Sequence, residues 1–134
     1  MQQSQRVSIV VDDMFFAAKI NAAATLAGRE VERLRSREQL EQDLLEQELI
    51  ENPPSLLIVD LNSERLDPLK TIEQFKAHPH LNKVPIVGFV SHVQIELIRG
   101  AQAAGCDYVL PRSRFTQLLS EIVSGNFEHL PRRP

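Results

Sequence analysis

Three carboxylates stand where apolar runs end. Asp60 follows the run Leu56-Leu57-Ile58-Val59, and the pair Asp12-Asp13 follows Val7-Ser8-Ile9-Val10-Val11. An acid at the mouth of a buried strand is placed to do chemistry rather than to stabilise the strand. Two unit charges 4 Å apart repel by about 4 kcal/mol at an effective dielectric of 20. Gathered carboxylates therefore need a cation, a protonated member or a nearby base. Oxygen ligands of this kind, with partial hydration, suit Mg²⁺. Taken singly, Asp12 or Asp13 reads more simply as the cap of the helix that follows. All three at strand ends read as one shared site.

The elements that must position them recur in a fixed order. Apolar, β-branched runs predict strands over residues 7–11, 56–59, 84–90 and 108–110, with a charged, edge-like strand in REVERL at 29–34. Helices are predicted between them. The first covers 14–27, with Phe15, Phe16, Ile20, Ala23 and Leu26 near helical spacing and Gly28 as its stop. Ser36 and Gln39 form a capping-box pattern ahead of the stripe Leu40, Leu44, Leu45 and Leu49. Asp67-Pro68 opens a third helix carrying Leu69, Ile72 and Phe75. A fourth runs from about His92 to Ala104 and ends at Gly105. Ser113 is the expected cap of a fifth, which carries Phe115, Leu118, Leu119 and Ile122. Strands apolar on both faces, alternating with helices, predict a parallel sheet covered on both sides. The expected fold is α/β: a doubly wound, five-stranded, flavodoxin-like (βα)5 unit with strand order 2-1-3-4-5. In that order the first and third strands are neighbours, roughly 5 Å apart. Ligands of such sheets bind at the carboxyl ends of the strands, which is where all three acids lie.

Composition bounds the rest. The 134 residues suffice for one domain, expected over 1–125, with a loose Pro- and Arg-rich tail over 126–134. A net charge of -3 gives no reason to expect nucleic acid, and Arg112, Arg114, Arg132 and Arg133 are too sparse a basic set. No run approaches the ~18 apolar residues of a membrane span, and the first residues lack a signal-peptide pattern. With Cys106 alone, no intramolecular disulfide or zinc set forms, which fits a cytoplasmic protein. Cys106 reads as a buried filler, His78-Pro79-His80 as a surface loop, and the acids between Glu38 and Glu51 as a solvated helix face. His92 starts a helix, where a cation is disfavoured.

VVDD at 10–13, LLIVDLN at 56–62 and AAGCDYVLP at 103–111 together resemble the response-regulator receiver domain, over about residues 6–124. The resemblance implies that Asp60 accepts a phosphoryl group from a histidine kinase or phosphotransfer protein. It implies Mg²⁺ bound directly by Asp13 and Asp60, by Asp12 largely through water, and by the Asn62 backbone carbonyl. Two switch positions depart from the pattern. Val90 stands where receivers carry a Ser or Thr, and Pro111 where they carry a Lys. Ser91, beside the first, reads as the cap of the fourth helix. Arg112, beside the second, is long enough to curl back but reads as a solvated surface residue. Tyr108 matches the receiver aromatic that moves on activation, and reads equally as a half-buried sheet residue. The implied function is a stand-alone signalling module whose output is docking, to a protein partner or a second copy, through the fourth helix, fifth strand and fifth helix (Ile95, Arg99, Gln102, Tyr108, Arg114). The alternatives are a phosphorylation-independent pseudo-receiver scaffold and, further off, a small phosphatase-like enzyme. The enzyme is disfavoured because adjacent Asp12-Asp13 lacks the spacer between acids that such phosphatases use, and no nucleotide-binding glycine motif is present.

Overall fold

A computed structural model describes residues 5–91 and 94–131. His92, Arg132 and Arg133, named above, lie outside the described residues. The chain runs β1 (Arg6–Val10), α1 (Met14–Leu26), β2 (Glu30–Arg33), α2 (Arg37–Leu45), α3 (Glu48–Glu51), β3 (Leu56–Asp60), α4 (Pro68–Ala77), β4 (Ile86–Val90), α5 (Ile95–Ala104), β5 (Tyr108–Pro111), α6 (Arg112–Gln117) and α7 (Leu119–Val123). The strands form one sheet in the order β2-β1-β3-β4-β5, and every pairing is parallel. The doubly wound sheet read from the sequence is the observed one.

Two apolar layers hold it together. On one face Val7, Ile9, Val11, Ile58, Val87, Phe89 and Leu110 pack with Phe16 and Ile20 of α1, Phe115 of α6 and Ile122 of α7. Phe89 lies between two rings there, 4.9 Å from Phe16 and 4.6 Å from Phe115 by centroid. On the other face Val10, Leu57, Val59, Leu61, Ile86 and Val90 meet Leu40 and Leu49 of α2 and α3, Ile72 and Phe75 of α4, and Ala101 of α5. β3 serves both layers, so its apolar residues are all buried.

Local chemistry sets most boundaries. Asp13 caps α1, accepting from the amides of Phe15 and Phe16 at 2.9 and 3.2 Å. The buried stripe of α1 is Phe16, Ile20 and Ala24, with Ala17 beside it. Phe15 and Leu26, grouped with that stripe by sequence, are 90% and 91% exposed because they fall about 140° and 120° from its centre. Ser36 caps α2 through the Gln39 amide at 3.0 Å, while the Gln39 side chain reaches back to the Arg35 amide at 2.8 Å. The expected single second helix is broken at Gln47, which is left-handed at φ 61°. The break turns Leu49 into the core and leaves Leu45 exposed.

Two expected caps are corrected. α5 begins at Ile95 with Gln94 at its N-cap position, so Ser91 does not cap it. α6 begins directly after Pro111, which places Ser113 inside the first turn rather than before it. The chain is already extended at Pro111 (φ -62°, ψ 148°) and enters the helix without a connecting loop. The segment read as a loose tail is docked as far as Leu130. That residue is 5% exposed, and Phe127 packs on Tyr108 with ring centroids 5.3 Å apart.

Cys106 is fully buried, with Sγ 3.2 Å from the Tyr108 carbonyl oxygen. A Cβ at Gly88 would come within 3.1 Å of that sulfur, so glycine makes the room for it. Burial pushes the thiol pKa up to about 12. A thiol-reactive probe at pH 8 is therefore expected to leave the native protein unmodified and to label one site after denaturation. Rapid labelling of the native protein would contradict this burial.

Candidate functional site

The register brings the acids to one end of the sheet. Val10 pairs with Val59, so the chain leaves β1 beside the end of β3, and Asp60 pairs with Phe89 on the other side. Asp60 is half-buried, and its Oδ1 accepts from the Asn62 amide at 2.9 Å. Burial raises its carboxyl above the ordinary value, the Asn62 hydrogen bond and the Arg112 charge oppose that rise, and Asp12 and Asp13 add to it. The four charged groups therefore share one electrostatic environment.

Asp12 and Asp13 divide the work. Asp12 Oδ2 accepts from the Ser63 hydroxyl at 2.7 Å, and its Oδ1 is buried with no hydrogen-bond partner. Asp13 spends Oδ1 on the two α1 amides and Oδ2 on Arg112, whose Nη2 donates at 3.2 Å. The Phe16 amide, then Arg112, hold the Asp13 carboxyl below the usual range. The helix-cap reading, set out for either acid alone, thus describes Asp13.

Arg112 corrects the sequence reading most. It remains partly exposed, with 37% of its side chain accessible, but it is engaged rather than free in solvent. Its guanidinium lies over the Phe16 ring, 4.1 Å from the centroid, in cation–π geometry while it pairs with Asp13. Pro111 itself is exposed and bears no charge. Entry into α6 at the very next residue turns the arginine back over α1 and supplies positive charge at the pocket.

Val90 is buried in the second apolar layer and offers no hydroxyl. Ser91 is exposed; its backbone amide donates to Asn62 Oδ1 at 2.8 Å, and Asn62 Nδ2 donates to Gln94 Oε1. The Asn62 side chain thus ties the end of β3 to the segment between β4 and α5. Sequence reasoning gave Asn62 only a backbone role and overlooked Ser63. The hydroxyl three residues beyond Asp60 was the available signal for Ser63; nothing in the spacing announced the Asn62 tie. Tyr108 is half-buried against Phe127.

The pocket can be tested for a divalent cation. The partnerless Asp12 Oδ1 is the observation in favour. Against it, both Asp13 oxygens already accept hydrogen bonds, and among the described residues no three His, Cys, Asp or Glu side chains are grouped to hold a metal. As placed, the three carboxylates do not form a ready metal-binding set.

Solved structures share the architecture. The chemotaxis response regulator CheY4 of Vibrio cholerae is 17% identical, with a TM-score of 0.73 over 93% of this chain and 99% of that one. The fold is that of a receiver domain. The phosphorylated cyanobacterial phytochrome response regulator RcpA is 22% identical (TM-score 0.71; 96% of this chain, 99% of that one). The Mn²⁺-bound form of response regulator Rcp1 is 20% identical (TM-score 0.69; 96% and 99%). No family model and no curated protein sequence matches the chain. Among the described residues no helix is long and apolar enough to cross a membrane. On the receiver fold, Asp60, Asp12 and Asp13 lie at the end of the sheet where the strand order reverses, the usual ligand position for such sheets.

Replacing Asn62 by Ala removes both side-chain ties to the β4–α5 segment. Hydrogen exchange at the Ser91 amide is expected to accelerate by about fivefold, the size of one hydrogen bond worth ~1 kcal/mol. Exchange within β3 should stay unchanged; an unchanged Ser91 rate would argue against the tie.

Proposed function

We propose that the protein is a receiver module of two-component signalling, cytoplasmic and without enzymatic output. Asp60 is its phosphoacceptor, and a histidine kinase or phosphotransfer protein is its donor. The observation that carries this reading is the placement of Asp60. It ends the central strand of a receiver fold, with Oδ1 oriented by the Asn62 amide and three further charged groups within electrostatic reach. In the transfer, Asp60 Oδ2 attacks the phosphorus of a phosphohistidine. The P–N bond breaks, and the imidazole leaves with the bonding pair and takes a proton. The product carries nearly two negative charges in place of one. Arg112 is the cation whose charge acts on Asp60, so it opposes that build-up. Divalent-metal binding, by analogy with the Mn²⁺-bound neighbour, would call on Asp12, Asp13, Asp60 and the Asn62 carbonyl. Output runs by docking through α5, β5 and α6, where Ile95 is 59% exposed and Arg99, Gln102, Tyr108 and Arg114 are the further contacts proposed, with a protein partner or a second copy.

A second reading has its own support. Val90 and Pro111 cannot make the phosphoryl contacts of a Ser or Thr and a Lys, and the Asn62 side chain itself engages Ser91 and Gln94. A ligand shifts a conformational equilibrium only through contacts that differ between the states. On this reading the chain is a phosphorylation-independent docking scaffold.

Incubation with a small acyl phosphate, with and without Mg²⁺, separates the two. Intact mass is expected to show one added phosphoryl group, lost in Asp60→Asn. No adduct under either condition would reject the phosphoacceptor reading and leave the scaffold.

A further inference from the structure

We propose that the Arg112 guanidinium is the resident cation of the acid pocket and competes with a divalent metal for Asp13. The claim is geometric and holds whether or not Asp60 accepts a phosphoryl group. Asp13 has two carboxylate oxygens. Oδ1 closes the first turn of α1 through two amides, and giving it up would uncap the helix. Oδ2 is held by Arg112 Nη2 at 3.2 Å. A cation that coordinates Asp13 without uncapping α1 must therefore share Oδ2 with the guanidinium, beside its positive charge, or displace it.

The arginine is not a loosely swinging rival. Its guanidinium rests on the Phe16 ring, which is itself packed against Phe89 and Phe115. Asp13 and Phe16 both belong to the start of α1, so one helix turn presents the anion and the aromatic platform together. Arg112 is fixed from the other side by its place as the first residue of α6. While the guanidinium rests on Phe16 its charge stays beside Asp13, so a divalent ion arriving there would meet like-charge repulsion. In a receiver fold whose lysine position is proline, a braced arginine thus supplies the charge that balances the carboxylates, and metal affinity is what it costs.

The test is metal binding to the full chain. Mn²⁺ is titrated into wild type, R112Q and R112A, with free Mn²⁺ read by electron paramagnetic resonance and the site confirmed by Mg²⁺ competition. Circular dichroism checks the fold; R112Q keeps the length of the side chain should R112A fail to fold. Both variants are expected to bind Mn²⁺ about threefold to fivefold more tightly than wild type, the range expected of a partly exposed charge interaction. Adding D13N to R112Q is expected to abolish the gain. Equal affinity in wild type and R112Q would overturn the proposal, as would a gain that survives D13N. Neither result depends on phosphorylation, so the acyl-phosphate experiment fails or succeeds independently.

Discussion

The whole arrangement depends on β3 being buried on both faces. Leu56, Leu57, Ile58 and Val59 are each 2% exposed or less, and they contribute to both apolar layers. Each such side chain contributes about 1.5–3 kcal/mol relative to exposure. β1 and β4 pair with this strand in parallel, and the helices on both sides close over it. Because the strand cannot slip by one residue without reversing every side chain, the position of Asp60 is set by the burial of the four residues before it. The carboxylate is the point where that buried run meets the pocket.

A half-buried acid with two further carboxylates nearby is an electrostatic problem, and the chain solves it with its own groups. The Asn62 amide and Arg112 act against the rise that burial imposes on Asp60. Asp13 is absorbed into the cap of α1 and the arginine pair, and Asp12 into the Ser63 hydroxyl. The hydrogen bonds across the pocket also link elements distant in sequence. Asn62 reaches the segment after β4, and Ser63 reaches the segment after β1. One polar atom of the pocket stands apart from these contacts: Asp12 Oδ1 is buried without a hydrogen-bond partner.

Much of this was legible in the sequence. Apolar runs on strands buried from both sides, helices alternating between them, the Ser36 cap, the Asp67-Pro68 start and the glycines at 28 and 105 are local signals, and each refers to contacts within a few residues. The acids were legible for the same reason, since each directly follows an apolar run. The failures lie where a side chain or a boundary answers to something distant. Leu45 falls on the helical stripe but is exposed because the helix breaks at Gln47 to bring Leu49 inward. Ser91 and Ser113 have the chemistry of caps, yet the helices begin elsewhere. Phe127 and Leu130 sit in a Pro- and Arg-rich segment and still find the core.

The sequence alone determined the class of sheet, the strands that carry the acids, and the absence of an ammonium and a hydroxyl at two positions, because strand burial and helix starts are written in residue type and period. Only the tertiary structure decided where Arg112 and the Asn62 side chain are directed. A long arginine can reach many partners, and its direction depends on how the chain leaves β5 and where the Phe16 ring lies. An asparagine side chain can bond to several neighbours, and its choice depends on the loop that folds beside it. Such contacts span 99 residues for Arg112 with Asp13 and 29 for Ser91 with Asn62. No local pattern encodes a distance of that kind; packing the sheet does.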